Sequence, residues 1–189
     1  MTYQKVHNEE DLLRSVQKGD KRAEQAFYCR YVRYLTAICG RYVPRDEDVK
    51  DVMQEAFLKI FSAIGSFELR GEGTLKSWLA KVVVNESLKF VRSHARYGYV
   101  ELTELEERMP DDEPDPAGIP SNLIYEMIRS LPDGYRIVFN LFAIEGKSHK
   151  DIALLLGIRE STSASQFHRA KALLARKIEI YKKDKMESE

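Results

Sequence analysis

The chain has 189 residues, 43% of them hydrophobic, and its 30 basic residues balance its 30 acidic residues. This length is enough for one large domain or two small domains with buried cores. The sequence has neither a membrane-spanning apolar run nor a hydrophobic signal segment, so we expect a soluble, cytoplasmic protein that does not insert into membranes. The two cysteines, Cys29 and Cys39, are too few for a four-ligand metal site. We predict that both are buried apolar residues.

The balanced net charge hides an uneven distribution along the chain. Residues 97–120 hold eight acidic residues and one basic residue, whereas the rest of the chain holds 29 basic and 22 acidic residues. The same segment is rich in proline, which disfavours packed structure. We therefore predict two mildly basic domains, residues 1–96 and 121–189, joined by an acidic flexible linker over residues 97–120.

The first domain begins with two predicted helices. A short helix ends at Gly19, and Asp20 is placed to cap a long helix that runs to about Gly40. The long helix is expected to face the core mostly through Ala23, Ala26, Phe27, Tyr31, Tyr34, Leu35 and Ile38.

A third helix begins in the acidic stretch Asp46–Asp48 and has the clearest helical period of the chain, over Val49–Ile64. The face opposite its apolar stripe is polar and largely acidic. This face favours either a solvated surface or a surface that docks on a protein, and it consists of Asp48, Asp51, Gln54, Glu55 and Lys59.

A loop over residues 66–74 separates the third helix from a fourth helix at about Leu75–Ala95. The outer face of the fourth helix carries Lys76, Lys81, Asn85, Lys89, Arg92 and Arg96. Four of these residues lie at or near turn multiples and form a basic stripe, namely Lys81, Lys89, Arg92 and Arg96. Phe67 and Trp78 lie beside this stripe and offer surfaces on which unpaired bases stack. Trp78 lies on the apolar period, which favours a core position for it, while Phe67 fits either role. The combination is typical of a single-stranded nucleic-acid site.

The second domain is predicted as four short helices, which makes the whole chain all-α. The first helix ends at Leu131–Pro132, and the second covers Tyr135–Ile144. Ser148 and Asp151 then form a capping box, Gly157 supplies a left-handed turn, and a polar-fronted helix follows. This order is that of a helix-turn-helix, which places its second helix in the DNA major groove. An ordinary helical hairpin in a bundle is the alternative interpretation.

The sequence offers no recognisable enzyme site. It lacks a phosphate-binding glycine loop, a dinucleotide fingerprint and a nucleophile elbow. Asp51 and Glu55 are four residues apart, but a metal site in a helical bundle would also need a histidine and a second carboxylate-bearing helix. We therefore expect no catalytic activity, no metal ion and no cofactor.

Two sets of residues resemble bacterial RNA polymerase sigma factors of the extracytoplasmic-function (ECF) class. The stretch DEDVKDVMQEAFLKIFSAIGSF, followed by LKSWLAKVVVNESLKFVRS, is similar to region two of that family. The stretches LPDGYRIVFNLFAIEGKSHKDIALLLGI and STSASQFHRAKALLARKI are similar to region four. The two regions in this order, separated only by a short linker, are typical of the class, and they assign region two to residues 1–96 and region four to residues 121–189.

The resemblance implies a subunit that binds core RNA polymerase and directs promoter-specific initiation, by melting the −10 element and recognising the −35 element. The polymerase-docking residues would be Asp48, Asp51, Gln54 and Glu55. The residues that bind the −10 DNA would be Phe67, Arg70, Lys76, Lys81, Asn85, Lys89 and Arg92. The residues that bind the −35 DNA would be Lys147, Ser161, Thr162, Ser163, Ala164, Gln166, Arg169 and Lys171. The implied partners are core RNA polymerase, promoter DNA (duplex at −35, single-stranded at −10) and an anti-sigma factor.

The reading helix departs from the family pattern at two positions. Ala164 and Gln166 stand where the family often has a Lys or Arg and a second Arg. Gln pairs with adenine and Ala contacts the thymine methyl group, whereas Arg favours guanine, so we predict a −35 preference that depends less on guanine.

Two other functions compete with this interpretation. A stand-alone helix-turn-helix regulator would bind duplex DNA tightly without polymerase. A metal-dependent helical-bundle enzyme is a third possibility, which the missing histidine ligands disfavour.

Overall fold

A computed structural model describes residues 8–94 and 115–187, and in these ranges the chain forms eight α-helices and no strand. The all-α prediction is therefore confirmed. The chain divides into two compact units at the boundary between Phe90 and Val91. Among the described helices, none combines the length and the apolar character needed to cross a membrane.

The first unit contains three complete helices and most of a fourth. They are α1 (Glu9–Gln17), α2 (Lys21–Cys39), α3 (Asp46–Ala63) and α4 (Thr74–His94). Asp20 caps α2 as predicted, because its carboxylate accepts hydrogen bonds from the backbone N–H groups of Arg22 (2.8 Å) and Ala23 (3.3 Å). A 3-10 turn at Ile64–Ser66 connects α3 to the loop before α4.

The core of the first unit is built from one stripe on each helix. The predicted apolar stripe of α3 is confirmed, since all six of its residues from Val49 to Ile60 are buried. On α2 the predictions for Ala26, Cys29 and Tyr34 are wrong, because all three are exposed. Their positions lie off the buried stripe of α2, which consists of Ala23, Phe27, Tyr31, Leu35, Ile38 and Cys39. Cys39 is fully buried, as predicted, and burial raises the pKa of its thiol.

A nearly buried carboxylate joins α3 to α4. Glu86 is only 9% exposed, and Lys59 of α3 donates a 2.5 Å hydrogen bond to Glu86 Oε1. The helical period of α3 predicts Lys59 on its polar face, but no pattern in the sequence indicates Glu86 as its partner. The partner of this carboxylate is identified only when the two helices are packed together.

The second unit contains the remaining helices. They are α5 (Ser121–Arg129), α6 (Asp133–Phe139), α7 (His149–Leu156) and α8 (Glu160–Glu187). The predicted helix at Tyr135–Ile144 is α6 followed by one π-helical turn, Asn140–Ile144. The prediction of four short helices is wrong for α8, which has 28 residues. No glycine or proline follows Gly157 in the sequence to end this helix.

The core of the second unit lies between α5, α6 and α8 and centres on Tyr135, Ala170 and Leu174. A buried arginine, Arg136, adds polar bonds to it. Its guanidinium donates to the Leu131 carbonyl (3.0 Å) and to Asp133 Oδ1 (2.7 Å), so it holds the α5–α6 turn. Hydrophobic periodicity gives no signal for such a residue.

Most of the predicted linker lies outside the described residues, but its last part, residues 115–120, is described. Ile119 is buried, and Asp115 Oδ2 accepts a 2.7 Å hydrogen bond from Lys182 of α8. This bond is the main reason that the pKa of Asp115 is lowered. The end of the linker is thus packed on the second unit rather than fully solvated.

Candidate functional site

The acidic face of α3 consists of Asp48, Asp51, Gln54 and Glu55. The last three are exposed, and Asp48 is half-buried beside Arg45, with 3.8 Å between Arg45 Nε and Asp48 Oδ2. Positions three, four and seven residues apart share one side of a helix, so these side chains form a continuous surface. The structure brings together all four residues that the sequence assigned to protein docking.

An apolar groove lies beside the acidic face, between α2 and α3. It has a volume of about 620 Å³, and Gln54 of the acidic face is one of its lining residues. Tyr28 is 44% exposed and Leu58 is 59% exposed. The rings of Tyr28 and Phe57 pack 4.6 Å apart, which fixes the groove wall. The sequence does not predict this groove, although Leu58 is an apolar residue outside the buried stripe of α3.

A second concavity, the aromatic pocket, lies where the 3-10 turn meets α4. It has a volume of about 460 Å³ and is lined by Ala63, Ser66, Phe67, Glu68, Arg70, Thr74 and Trp78. Phe67 and Trp78 are both half-buried, and their ring centroids lie 4.9 Å apart. Trp78 therefore sits at the edge of the core and also contributes to the pocket wall, so neither of its two predicted roles excludes the other.

Charged side chains surround the aromatic pocket. Arg70 lies at its rim, and its guanidinium is 3.5 Å from the Glu68 carboxylate, with about four fifths of each side chain exposed. Such an exposed pair contributes little to stability, so Arg70 can exchange Glu68 for another anion. On α4 the predicted outer face is exposed at every described position, namely Lys76, Lys81, Asn85, Lys89 and Arg92. Arg96, the last predicted member, lies outside the described residues.

The helix-turn-helix prediction matches α7, the turn and α8. Ser148 Oγ accepts a 3.1 Å hydrogen bond from the Asp151 backbone N–H and donates a 2.6 Å bond to the Asp151 carboxylate. The bond that Ser148 Oγ donates to the carboxylate is the main reason that the pKa of Asp151 lies below its usual value. Gly157 has φ +69°, the left-handed conformation that a residue with a Cβ adopts only at a cost.

The start of α8 presents a different set of residues to solvent than predicted. Glu160, Ser161, Ala164, Ser165 and His168 are exposed, and of these only Ser161 and Ala164 were predicted to contact DNA. The prediction that Ser163 faces DNA is wrong, because Ser163 is fully buried and its Oγ is 3.0 Å from His149 Nδ1. Each residue advances the helix by 100°, so Ser163 points into α7 while its neighbour Ala164 points away.

The other predicted contacts to −35 DNA are half-buried: Lys147, Thr162, Gln166, Arg169 and Lys171. Arg169 Nη1 donates to the Tyr135 hydroxyl at 3.3 Å, and Lys171 Nζ lies 5.6 Å from the centre of the Phe167 ring. The Gln166 amide lies so close to Gly134 that a Cβ there would be 3.1 Å from its Nε2. The inner side of the motif is an aromatic stack in which Phe142 lies 4.3 Å from the His149 ring.

Metal chemistry has no counterpart in the part of the chain that the structure describes. Within residues 8–94 and 115–187, no group of three histidine, cysteine or carboxylate side chains is arranged to hold a metal ion. The features that these residues do form are an acidic face with a groove, an aromatic pocket beside a basic stripe, and a helix-turn-helix.

Comparison with known proteins assigns the two units to two family regions. The region described as Sigma-70 region 2 matches residues 27–97, and the region described as Sigma-70, region 4 matches residues 121–174. The ECF RNA polymerase sigma-E factor of Haemophilus influenzae is 31% identical over 180 residues, which cover 89% of this chain and 94% of that protein. The sigma-E factor of Escherichia coli K12 is 29% identical over 180 residues, which cover 89% and 93%.

Two solved structures are also similar. The structure of CnrH in complex with the cytosolic domain of CnrY is 22% identical, with a TM-score of 0.48 and coverage of 89% of this chain and 96% of that one. The sigma factor RpoE of Bartonella quintana, solved with the anti-sigma factor NepR, is 21% identical, with a TM-score of 0.45 and coverage of 80% and 94%. The identity of 31% over nearly the whole of a curated relative, with regions 2 and 4 in the same order, shows that this chain belongs to the ECF class of RNA polymerase sigma factors.

Proposed function

We propose that this sigma factor binds core RNA polymerase in the cytoplasm and directs it to promoters by reading the −35 element and capturing the melted −10 element. Region 2, over residues 1–96, would dock on polymerase and capture the −10 element. Region 4, over residues 121–189, would read the −35 element, and residues 97–120 connect the two regions. The observation that carries the proposal is the match of regions 2 and 4 to separate units of one chain. As an initiation factor it contributes recognition, while the polymerase performs catalysis.

The acidic face of α3 and the groove beside it are the proposed polymerase-docking surface. An acidic surface on an otherwise basic domain is unsuited to DNA, because phosphate is repelled by carboxylates. Tyr28 and Leu58 add exposed apolar area next to Asp51 and Glu55. Buried aromatic and aliphatic anchors surrounded by charged residues are the usual composition of a specific protein interface. We therefore add Tyr28 and Leu58 to the proposed docking residues.

The aromatic pocket is the proposed site that captures an unpaired base of the −10 element. Phe67 and Trp78 supply the aromatic walls, and Arg70 supplies a cation at the rim. A base that leaves the duplex stacks on such rings. This stacking contributes about 1–3 kcal/mol per base and offsets the cost of unstacking, which is of the same order. The exposed cations of α4, from Lys76 to Lys89, lie on one basic helix and would bind the phosphates of the same strand.

The exposed face of α8 is the proposed −35 reader. Ser161, Ala164 and His168 reach solvent at the start of the helix, which is the end that a helix-turn-helix directs at base edges. Ala164 is suited to contact with a thymine methyl group, and Gln166 would have to leave its position against Gly134 to pair with adenine. The buried Ser163 is excluded from this role.

We also propose an anti-sigma factor as a regulatory partner. RpoE of Bartonella quintana was solved with the anti-sigma factor NepR. In this chain the apolar groove and the acidic face would give such a partner a surface whose occupation blocks polymerase.

Replacement of Phe67 tests the proposed base capture. Phe67→Ala removes one stacking wall, so the equilibrium for open-complex formation should fall by at least about fivefold, the lower end of the stacking range. Permanganate reactivity of thymines in the −10 element, measured with core polymerase, reports the open complex. Tyr34→Ala is the matched control, since Tyr34 is 44% exposed on α2 and lines neither concavity. Equal opening by wild type and Phe67→Ala would remove the pocket from the mechanism.

A further inference from the structure

One side chain from α1 holds the turn on which the aromatic pocket is built. The amide Nε2 of Gln17, the last residue of α1, donates to the Ile64 carbonyl at 3.0 Å and to the Phe67 carbonyl at 2.8 Å. Ile64 begins the 3-10 turn, and Phe67 is the first residue after it. Gln17 therefore bonds both ends of the turn across nearly fifty residues of sequence.

Phe67 needs this support because the turn itself ends there. Its backbone is extended (φ −75°, ψ 128°), and its N–H donates to the Ile64 carbonyl at 3.1 Å as the closing bond of the turn. The bond from Gln17 to the Phe67 carbonyl fixes the peptide plane beyond that point. The plane of this peptide sets the direction of the chain that forms the pocket rim, including Glu68 and Arg70.

The helix that carries Gln17 is itself firmly attached. Leu12, Leu13 and Val16 of α1 are buried. At the other end of the helix, the Tyr31 hydroxyl of α2 donates a 2.7 Å hydrogen bond to the Glu9 carboxylate. A helix held by an apolar stripe and by a polar bond presents Gln17 in a defined position, which is what support of a binding site requires.

We propose that Gln17 is a positioning residue for base capture: it presets Phe67 against Trp78 so that an unpaired base meets a formed pocket. The inference rests on the proposed role of the aromatic pocket. It goes beyond the region 2 match, which begins at residue 27 and leaves α1 outside it. A glutamine is suited to the task because its amide offers two N–H donors without a charge, one for each carbonyl.

The experiment compares two substitutions of Gln17 with one control in the full-length protein. Gln17→Met keeps the length of the side chain and removes both donors. Gln17→Glu places carboxylate oxygens against the Ile64 and Phe67 carbonyls, so it reverses the interaction. Gln25→Glu makes the same chemical change at an exposed position of α2 and serves as the control.

Trp78 is the only tryptophan of the chain, so its fluorescence reports the pocket directly. We expect a red-shifted emission and easier acrylamide quenching in both Gln17 variants, at temperatures where circular dichroism shows an unchanged helix content. A purely stabilising role of Gln17 would leave the Trp78 signal of the folded protein unaltered. If Gln17→Glu fails to fold, Gln17→Met supplies the same comparison without the carboxylate.

The second readout is capture of DNA by the holoenzyme. The measurement is the affinity of the holoenzyme for a labelled single-stranded oligonucleotide. The oligonucleotide carries the non-template −10 sequence of a promoter from which the holoenzyme transcribes. The Gln17 variants should lose about tenfold, the effect of one to two lost hydrogen bonds, while affinity for core polymerase stays at the wild-type value.

The outcomes separate the inference from the function on which it rests. Unchanged Trp78 fluorescence in both variants would show that Gln17 does not position the pocket. A changed Trp78 signal with wild-type DNA capture would show that Gln17 positions a pocket that does not capture the base, and this result would overturn the proposed function of the pocket together with the role of Gln17 in capture.

Discussion

Two adjacent residues of α8 have opposite environments and should have opposite effects when they are replaced. Ser163 is fully buried with its Oγ 3.0 Å from His149 Nδ1, and Ala164 is exposed. Ser163 thus fixes α8 against α7, and Ala164 is free to meet a base. Successive residues of a helix point in directions 100° apart, so Ser163 is buried while its neighbour Ala164 is exposed.

Ser163→Ala should lower the free energy of unfolding by about 1–3 kcal/mol, because the His149 nitrogen loses a buried partner. It should leave the preferred −35 sequence unchanged.

Ala164→Arg should have the opposite pair of effects. The free energy of unfolding should change by at most about 0.5 kcal/mol, and the −35 element should acquire a new preference for guanine. Urea denaturation and selection from randomised −35 elements measure the two effects. A strict requirement for guanine in the wild-type selection would contradict the base preference that we infer from Ala164 and Gln166.

At the scale of the helices, the attachment of α1 to α2 should depend on pH. Tyr31 is 2% exposed, and burial is the first cause that raises its pKa far above 10, with the hydrogen bond to the Glu9 carboxylate as the second. A raised pKa in the folded state means that the neutral hydroxyl is favoured by folding. Its contribution is fully present below about pH 10, where the unfolded tyrosine is also neutral, and is lost as the pH rises further.

Tyr31→Phe should therefore cost about 1–2 kcal/mol of unfolding free energy at pH 7, the value of one hydrogen bond to a carboxylate. The difference between wild type and variant should shrink as the pH rises above about 10. Urea denaturation from pH 7 to about pH 10.5 measures it, with Tyr34→Phe, at an exposed position of α2, as a control expected to change by at most about 0.5 kcal/mol. A difference that is independent of pH would contradict the assigned environment of Tyr31.

The sequence predicts most of the helices because their signals are local. Asp20, Gly19 and Gly157 mark helix ends, and the apolar period of α3 defines its buried stripe. The signals fail where tertiary contacts decide. Glu86 of α4 is nearly buried against Lys59 of α3, and no pattern in the sequence indicates this bond between two helices.

The candidate site follows the same division. Its exposed charges, such as Asp51 of α3 and Lys81 of α4, are visible in the sequence because helical spacing places them on the polar face of their helix. The groove at Tyr28 and Leu58, the anchoring by Gln17 and the burial of Ser163 all require the packed positions of two or more helices. Residue type and period therefore identify which side chains take part, whereas packing decides which of them are accessible.

At the scale of the whole molecule, the chain combines sigma regions 2 and 4 with an acidic segment between them. The part outside residues 97–120 carries 29 basic against 22 acidic residues, and residues 97–120 carry eight acidic residues against one basic residue. Carboxylates of this segment can compete with DNA phosphates for the basic residues, so we expect only weak binding to duplex DNA in the absence of polymerase. A stand-alone regulator would instead bind duplex DNA tightly.

Run-off transcription with core RNA polymerase tests the central claim most directly, on promoter-containing genomic fragments with and without this protein. The account predicts new, defined transcripts with the wild type and their loss with Asp51→Arg, because the substitution reverses a charge of the docking surface. Glu179→Arg makes the same change of charge at an exposed position of α8 and should retain the transcripts. The account would be contradicted if the protein never redirected polymerase yet shifted duplex DNA alone, the behaviour of a stand-alone helix-turn-helix regulator.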